Sequence, residues 1–270
     1  MNATSGTSPM LATRVPKLAL LLGGKATRLY PLTNSCPKAL LPLAGQPFLA
    51  HQLQWLATQG VQHIVLCCGH LAEPIRNFAG DGSRFDVRLD YSEDGEALLG
   101  TAGAIEKALP LLGETFAVLY GDTLLAEPLA PVWQSFRERK LLALMTVLEN
   151  HQAWDQSNTA IEAGWIKQYK KGAAEAGFTH IDYGFSIFEA RCFAASCARV
   201  RRTSGLPLDA QLDPQLDLGQ VFRDLIAHGE LAAYSVQERF YEIGSLTGLR
   251  ETEEALKRGL FAARREGVGA

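Results

Sequence analysis

A glycine-rich stretch near the start of the chain contains the residue types best suited to binding phosphate. Gly23 and Gly24 directly follow an apolar run at residues 18–22, and Arg28 and Lys38 come shortly after them. Glycine allows backbone N–H groups to approach an anion closely, arginine offers a planar fork of donors, and lysine offers a point charge. By composition, this stretch is a phosphate-binding loop.

The loop matches neither of two common nucleotide-binding motifs. A Walker loop needs serine or threonine after its lysine, whereas Ala26 follows Lys25, and Ala19 stands where that motif has its first glycine. The GxGxxG fingerprint of dinucleotide-binding proteins cannot be placed on Gly23 or Gly24. The composition of the loop therefore predicts phosphate binding without matching either motif.

The elements that must position this loop alternate between short apolar runs and helical patterns. Apolar runs predict strands at residues 18–22, 63–68, 86–91, 116–120 and 142–148. Helical spacing predicts helices at residues 47–58, 71–78 and from Thr101 onward, and a hairpin is predicted for residues 159–162 and 165–169. The alternation predicts an α/β fold with an open, mixed, mostly parallel sheet and helices on both faces.

Motifs along the chain resemble those of the sugar-1-phosphate nucleotidyltransferase family. Residues 21–42 resemble its opening signature, in which a glycine loop leads to Thr-Arg-Leu, Pro-Leu-Thr and Pro-Lys. The resemblance continues in register through residues 99–104, residues 120–122, Lys171 and residues 241–245. Within the family, the chain looks most like guanylyltransferases acting on D-glycero-D-manno-heptose 1-phosphate or mannose 1-phosphate.

This resemblance implies a Rossmann-like nucleotidyltransferase fold without the C-terminal β-helix of some relatives. Residues 1–16 are expected to be a disordered leader and residues 17–265 a single domain. Within it, residues 17–140 would form a nucleotide-binding half, residues 141–245 a sugar-binding half and residues 246–265 a C-terminal helix. The implied partners are a nucleoside triphosphate and a sugar 1-phosphate, in a pathway such as cell-surface polysaccharide synthesis.

The implied reaction is attack of a sugar phosphate oxygen on the α-phosphorus of the nucleotide, with pyrophosphate leaving. A phosphate monoester has a second pKa of about 6, so it is largely dianionic at neutral pH and needs no general base. Catalysis then requires positioning and charge neutralisation. The resemblance assigns Arg28 to the β- and γ-phosphates, Lys38 to the α-phosphate or the sugar phosphate, and Lys171 to the sugar phosphate.

Further binding residues follow from the same matches. The expected nucleotide-binding residues are Leu22, Gly23, Gly24, Lys25, Thr27, Glu96, Gly100, Thr101 and Asp122. The expected sugar-binding residues are Gly121, Asn158, Lys171, Asp182 and Gly184. Guanine presents two adjacent donors that one carboxylate can accept, so Glu96, with Glu93 as the second choice, is the candidate that reads the base.

Two acidic residues are candidates for a magnesium site. Asp122 follows the strand predicted at residues 116–120, which places it at the carboxyl edge of the sheet, where ligands bind in such folds. Glu242 is the second candidate ligand. Mg²⁺ prefers oxygen ligands and is commonly held by one or two carboxylates together with phosphate oxygens and water.

Departures from the family pattern keep other functions open. Ala26 replaces a glycine, and if that position has a positive φ, alanine costs about 1 kcal/mol there. Glu242 replaces the more usual aspartate, while Asn158 and Lys170 replace a glycine and a glutamate near the expected sugar site. The alternatives are a uridylyltransferase for an amino-sugar 1-phosphate and a non-catalytic regulator that binds a nucleotide sugar.

Composition excludes several other classes. The chain has 270 residues, of which 47% are hydrophobic and 20% charged, and its net charge of −3 argues against binding nucleic acid or an acidic membrane. No apolar run approaches the roughly 20 residues that span a bilayer. Five cysteines without a CxxC motif indicate buried thiols in a reducing cytoplasm. The oligomeric state stays open, with a homodimer as one option.

Overall fold

A computed structural model describes residues 15–24, 26–151, 153–154, 156–171, 177–203 and 215–261. The strands are β1 (Lys17–Leu21), β2 (Pro42–Leu43), β3 (Gln46–Pro47), β4 (His63–Cys68), β5 (Arg88–Glu93), β6 (Thr115–Tyr120), β7 (Thr123–Leu125), β8 (Ala143–Glu149), β9 (Thr159–Glu162), β10 (Trp165–Tyr169), β11 (His180–Glu189), β12 (Leu231–Val236) and β13 (Phe240–Glu242). The helices are α1 (Phe48–Thr58), α2 (Ala72–Ala79), α3 (Gly100–Leu112), α4 (Leu129–Glu138), α5 (Ala190–Thr203), α6 (Leu218–Ala227) and α7 (Leu246–Lys257).

One large mixed sheet organises the described residues. Its strand order is β5-β4-β1-β6-β11-β8-β12-β10-β9, and the pairings give every strand except β11 and β10 the same direction. The prediction of a mixed, mostly parallel sheet is therefore confirmed. Two short ribbons, β2 with β3 and β7 with β13, lie outside this sheet.

The two faces of the sheet are covered by different helices, as expected from alternating side chains in its strands. Leu18 and Leu20 of β1 belong to a core shared with α1, α2 and α4. Ala19, between them, belongs to a second core shared with α3, α5 and α6. Helices on both faces were predicted, and the burial of successive residues explains why β1 is apolar at nearly every position.

The chain leaves β1 toward β4 and β5 on one side and later returns to β6 on its other side. The strand order therefore changes direction between β1 and β6, and residues that follow both strands line one cavity at their carboxyl ends. In open α/β sheets, this switch point is where ligands bind.

The element boundaries follow the predictions closely, with identifiable exceptions. Strand β4 and the β9–β10 hairpin have the predicted bounds. Strand β5 begins two residues later than predicted because Asp86 has a φ of 58° and still belongs to the preceding turn. The helix predicted for residues 246–265 is α7, which ends earlier, at Lys257, where Gly259 has a φ of 76°; residues 262–265 lie outside the described residues. The predicted leader lies almost entirely outside the described residues, and no helix within them is long and apolar enough to cross a bilayer.

Candidate active site

A cavity of about 960 Å³ opens at the carboxyl ends of the central strands. The predicted site residues that line it are Leu22, Gly23, Gly24, Thr27, Arg28, Lys38, Gly100, Thr101, Gly121, Asp122, Asn158, Lys171, Asp182, Gly184 and Glu242. Glu96 is exposed and is not part of this lining, and Lys25 lies outside the described residues. The structure thus brings together residues that are far apart in the sequence.

The glycine loop is held against the loop that follows β4. The Leu22 N–H donates to the Cys67 carbonyl at 2.8 Å, and a Cβ on Gly23 would lie 3.3 Å from the backbone nitrogen of Gly69. Ala26 has φ 50° and ψ 40°, so the conformation for which the family uses glycine is present here with an alanine in it. The Thr33 hydroxyl fixes the turn by donating to the Ala26 carbonyl at 2.9 Å.

Lys38 and Asp122 form an ion pair in the centre of the cavity wall. The Lys38 Nζ is 2.5 Å from the Asp122 Oδ2, and both side chains are largely buried. Asp122 reaches this place because Gly121 lets β6 approach β1: a Cβ there would lie 2.4 Å from the Leu21 carbonyl oxygen. The Thr123 hydroxyl donates to the other carboxylate oxygen of Asp122 at 3.2 Å.

Glu242 reaches the same wall through the small ribbon of β7 and β13. Glu242 pairs with Thr123, and the Ile243 N–H donates to the Asp122 carbonyl at 2.9 Å, so the two acidic residues lie on neighbouring backbones. A Cβ on Gly244 would lie 3.0 Å from the Glu242 Oε1 and 3.3 Å from the Arg28 Nη2. Arg28 and the two acidic residues therefore share one side of the cavity.

The donor set at this wall fits a hard divalent cation. Asp122 and Glu242 offer carboxylate oxygens, which Mg²⁺ prefers. Among the described residues, no group of three or more acidic, histidine or cysteine side chains is arranged to hold a metal ion. A metal bound here would take its remaining ligands from substrate phosphates and water, which is the usual arrangement for Mg²⁺.

The first turn of α3 is closed by the chain before α6. The N–H groups of Ala102 and Gly103 donate to the Leu216 carbonyl at 2.9 and 3.2 Å. Gly100 has a φ of 77°, and a Cβ there would lie 2.6 Å from the same carbonyl oxygen. These helix N–H groups are therefore engaged by protein, and Gly100 and Thr101 contribute to the cavity as a wall of small residues.

Asp94 lines the cavity, whereas Glu96, the predicted base-reading residue, is exposed and outside the lining. Strand β5 extends to Glu93, whose carboxylate points outward to Arg76 at 2.5 Å, so Asp94 is the first residue beyond the carboxyl end of the strand. Its Oδ2 accepts from the Leu99 N–H at 3.2 Å, and burial raises the pKa of its carboxyl. A predicted end of β5 at Glu93 would have placed Asp94 at the carboxyl edge of the sheet.

Residues 141–245 contribute two more acidic groups to the cavity lining, Asp182 and Asp217. Lys171 lies 3.6 Å from the Oδ2 of Asp217, which also caps α6, and the sequence reasoning missed this partner. Asp182 accepts from the Gly184 N–H at 2.9 Å and from the Tyr120 hydroxyl at 3.4 Å. Burial raises the pKa of Asp182 to about 6. Asn158 accepts from the Asp182 N–H at 2.9 Å, so its amide supports the site's backbone.

The fold and the cavity define an α/β protein whose main cavity lies at the switch point of its sheet, where ligands bind in such folds. A family model described as nucleotidyl transferase matches residues 17–171, which is more than half of the chain. The chain belongs to this nucleotidyl transferase family, as its motifs indicated.

The relatives include a uridylyltransferase and a guanylyltransferase, which are named for transfer of different nucleotides. A UTP–glucose-1-phosphate uridylyltransferase from Synechocystis is 32% identical over 189 residues, covering 64% of this chain and 49% of that protein. A mannose-1-phosphate guanylyltransferase from Mycobacterium tuberculosis is 37% identical over 131 residues, covering 48% of this chain and 36% of that protein. The chain thus spans half or less of the length of these relatives.

Solved structures share the fold. HddC from Yersinia pseudotuberculosis, complexed with GMP-PN, has a TM-score of 0.69 to this chain at 20% identity, covering 90% of this chain and all of that one. The similarity covers most of the chain and agrees with the predicted nucleotidyltransferase fold.

Proposed function

We propose that the protein transfers a nucleotidyl group from a nucleoside triphosphate to a sugar 1-phosphate and releases pyrophosphate. One observation carries the proposal: Arg28, Lys38, Asp122 and Glu242 meet beside a glycine loop in a single cavity. Two polyanions must be brought together in this reaction, and the arrangement provides cations at one wall and carboxylates suited to Mg²⁺. A metal bound there would neutralise phosphate charge.

The residues act by positioning and by charge neutralisation. Arg28 holds the β- and γ-phosphates of the leaving pyrophosphate, and Lys38 holds the α-phosphate or the incoming sugar phosphate. Lys171 faces them from the sugar half of the cavity. Because the attacking phosphate is already largely ionised at neutral pH, no side chain has to remove a proton from it.

We propose GTP as the nucleotide and a heptose or hexose 1-phosphate as the acceptor. Support comes from Asp94, a carboxylate in the cavity lining that can accept the two adjacent donors of guanine. Relatives named for guanylyl and for uridylyl transfer both match the chain. A uridylyltransferase for an amino-sugar 1-phosphate is therefore the second candidate, and a cytoplasmic enzyme is the expected setting for either.

The direct test measures pyrophosphate release with coupled pyrophosphatase and Mg²⁺. GTP, UTP, ATP and dTTP are each combined with mannose, glucose, N-acetylglucosamine and D-glycero-D-manno-heptose 1-phosphates. The proposal expects the fastest release with GTP and the mannose or heptose compound. Release with UTP and N-acetylglucosamine 1-phosphate would instead support the second candidate, and no release in any combination would support a nucleotide-sugar-binding regulator.

Single substitutions test whether the cations of the cavity wall act in the proposed reaction. Arg28→Gln and Lys38→Gln should each lower kcat/KM by about 100-fold or more, since each removes a charge that stabilises developing charge in the transition state. Lys140→Gln is the matched control, because Lys140 is exposed and is not among the residues that line the cavity. Equal rates for Lys38→Gln and the control would contradict the assigned role.

A further inference from the structure

Gln52 is a buried polar side chain that the proposed reaction does not use. It lies in α1, and none of its surface is exposed to solvent. Its Nε2 donates to the Tyr120 carbonyl at 3.0 Å and to the Thr123 carbonyl at 2.8 Å. These two carbonyls lie on either side of Gly121 and Asp122, so one amide from a helix holds the chain before and after the candidate metal ligand.

The partners of this amide fix its orientation. Both are carbonyl oxygens, which only accept hydrogen bonds, so the nitrogen must face them. The Gln52 Oε1 is then buried without a hydrogen-bond partner among the described residues. An unpaired buried acceptor is unfavourable, and an apolar side chain would fill this space without one. Packing alone therefore does not account for Gln52, whereas the need to hold two carbonyls does.

The Thr123 carbonyl needs a partner outside the ribbon of β7 and β13. The Ile243 N–H donates to the Asp122 carbonyl at 2.9 Å, and successive carbonyls of a strand point to opposite sides. The Thr123 carbonyl therefore faces away from β13, where Gln52 binds it. Asp122 is thus held from β13 through its own carbonyl and from α1 through the carbonyls on either side of it.

Helix α1 also holds the segment that carries Lys38. The Phe48 N–H at the start of α1 donates to the Leu41 carbonyl at 3.0 Å, directly after the turn that begins at Lys38. The same helix therefore supports both partners of the Lys38–Asp122 ion pair, one through its first residue and the other through Gln52. A shift of Asp122 would change its distance to Lys38 and to a bound metal ion.

We propose that Gln52 is a positioning residue, which holds the Asp122 carboxylate in the geometry needed to bind Mg²⁺ beside Lys38. This inference rests on the proposed function and adds to it a residue outside the cavity lining. Replacing groups that orient a metal ligand costs about 10- to 100-fold in metal affinity or activity. Because the effect passes through Asp122, it should concern the metal and spare the nucleotide contacts of Arg28 and the glycine loop.

The test uses Gln52→Met, which keeps an unbranched side chain of similar length and removes both hydrogen bonds. Calorimetry measures GTP and UTP binding with Mg²⁺ and with EDTA, without sugar 1-phosphate so that no turnover occurs. The gain in nucleotide affinity caused by Mg²⁺ should be about 10-fold smaller or lost in the variant. The affinity in EDTA should stay within about twofold of the wild-type value. An unchanged gain, or no gain with the wild-type protein, would overturn the proposal.

Ser196→Ala is the matched control for a purely structural role. The Ser196 hydroxyl is also buried and donates to Asp224 at 2.7 Å, joining α5 to α6 on the other face of the sheet. Both substitutions should lower the midpoint of urea denaturation, because each leaves a buried acceptor without its donor. Only Gln52→Met should reduce the gain caused by Mg²⁺, and an equal reduction in both variants would mean that Gln52 only stabilises the fold.

Gln52→Glu takes the place of Gln52→Met if that variant does not fold. It has the same shape, and a carboxyl group can donate at most one hydrogen bond in either protonation state. At least one of the two carbonyls therefore loses its partner, and the gain caused by Mg²⁺ should again fall. An unchanged gain in a folded Gln52→Glu protein would contradict the positioning role.

Pyrophosphate release, measured separately, distinguishes this inference from the proposed activity. Where release occurs, Gln52→Met should raise the Mg²⁺ concentration for half-maximal rate by about 10-fold. If release fails in every combination but Gln52→Met still reduces the gain caused by Mg²⁺, the catalytic proposal is wrong and the positioning role stands. If release occurs and the gain is the same in both proteins, the positioning role is wrong and the activity stands.

Discussion

At the scale of single residues, Ala26 shows how a departure from a motif can be evaluated physically. Its φ of 50° is the left-handed conformation that glycine adopts without strain and alanine does not. The sequence alone could only say that alanine is strained here if this position has a positive φ. The dihedral angles show that it has. The alanine methyl group also lies in the cavity lining, beside the place where phosphate is expected.

Replacing Ala26 with glycine should relieve this strain. Ala26→Gly is expected to raise the free energy of unfolding by about 0.5 to 1 kcal/mol, measured by urea denaturation. It should also raise kcat/KM for the nucleotide, since the methyl group is removed. Ala44→Gly is the control: Ala44 has a φ of 45° in the turn between β2 and β3, so it should give the same stability gain without a change in activity. A loss of stability for Ala26→Gly would contradict the strain argument.

Also at this scale, Asp94 and Glu96 can be compared directly as readers of the base. Asp94→Asn should reduce the proposed preference for GTP over UTP by about 10-fold or more, because an amide cannot accept both guanine donors. Glu96→Gln, at an exposed position two residues away, should leave the preference unchanged. The ratio of kcat/KM values for the two nucleotides measures this, and the opposite pattern would restore Glu96 as the reader.

At the scale of elements, the packing of α3 against the chain before α6 controls the wall of the cavity. Gly100→Ala should lower the free energy of unfolding by about 2 to 4 kcal/mol, because the methyl group would meet the Leu216 carbonyl oxygen at 2.6 Å and weaken two backbone hydrogen bonds.

Gly113→Ala is the matched control for this element. Gly113 has a φ of 106° at the other end of α3, but a Cβ there meets nothing within 4 Å. Its substitution should therefore show only the backbone strain, about 1 to 2 kcal/mol. Equal losses for the two variants in urea denaturation would show that the contact with Leu216 contributes little.

The elements that the sequence predicted well are those with a strong local signal. The apolar run of β4 and the alternating hairpin of β9 and β10 have the bounds expected from their residues. The ribbon of β7 and β13 was not predicted, because each strand has only three residues and their pairing joins distant parts of the chain. Asp94 was missed for a related reason: a two-residue error in β5 moves the carboxyl edge of the sheet.

At the scale of the whole molecule, Asp182 links the site to stability. Burial raises its pKa from 3.8 to about 6, so the folded protein binds more protons than the unfolded chain between these values. Stability therefore falls as the pH rises through this window, and the loss is complete above it. The tyrosine hydroxyls of Tyr120 and Tyr169 and the charge of Lys171 reduce the loss without removing it.

Asp182→Asn should remove this pH-dependent loss. At pH 7.5 the variant is expected to be more stable than the wild-type protein by about 1 to 3 kcal/mol in urea denaturation. Near pH 4 the difference should shrink toward zero, because the wild-type carboxyl is then protonated in the folded state. A variant that is less stable at pH 7.5 would show that the carboxylate stabilises the fold.

The ribbon that joins β7 to β13 has a consequence for how the protein becomes functional during synthesis. Phe240, Tyr241 and Glu242 leave the ribosome long after the segment around Asp122 with which they pair. A nascent chain that has already folded its first parallel strands thus holds a glycine loop and Lys38, but not the second acidic side chain. The wall of the cavity is complete only after this distant segment has paired with β7, so a chain that ends before Phe240 should lack the proposed activity.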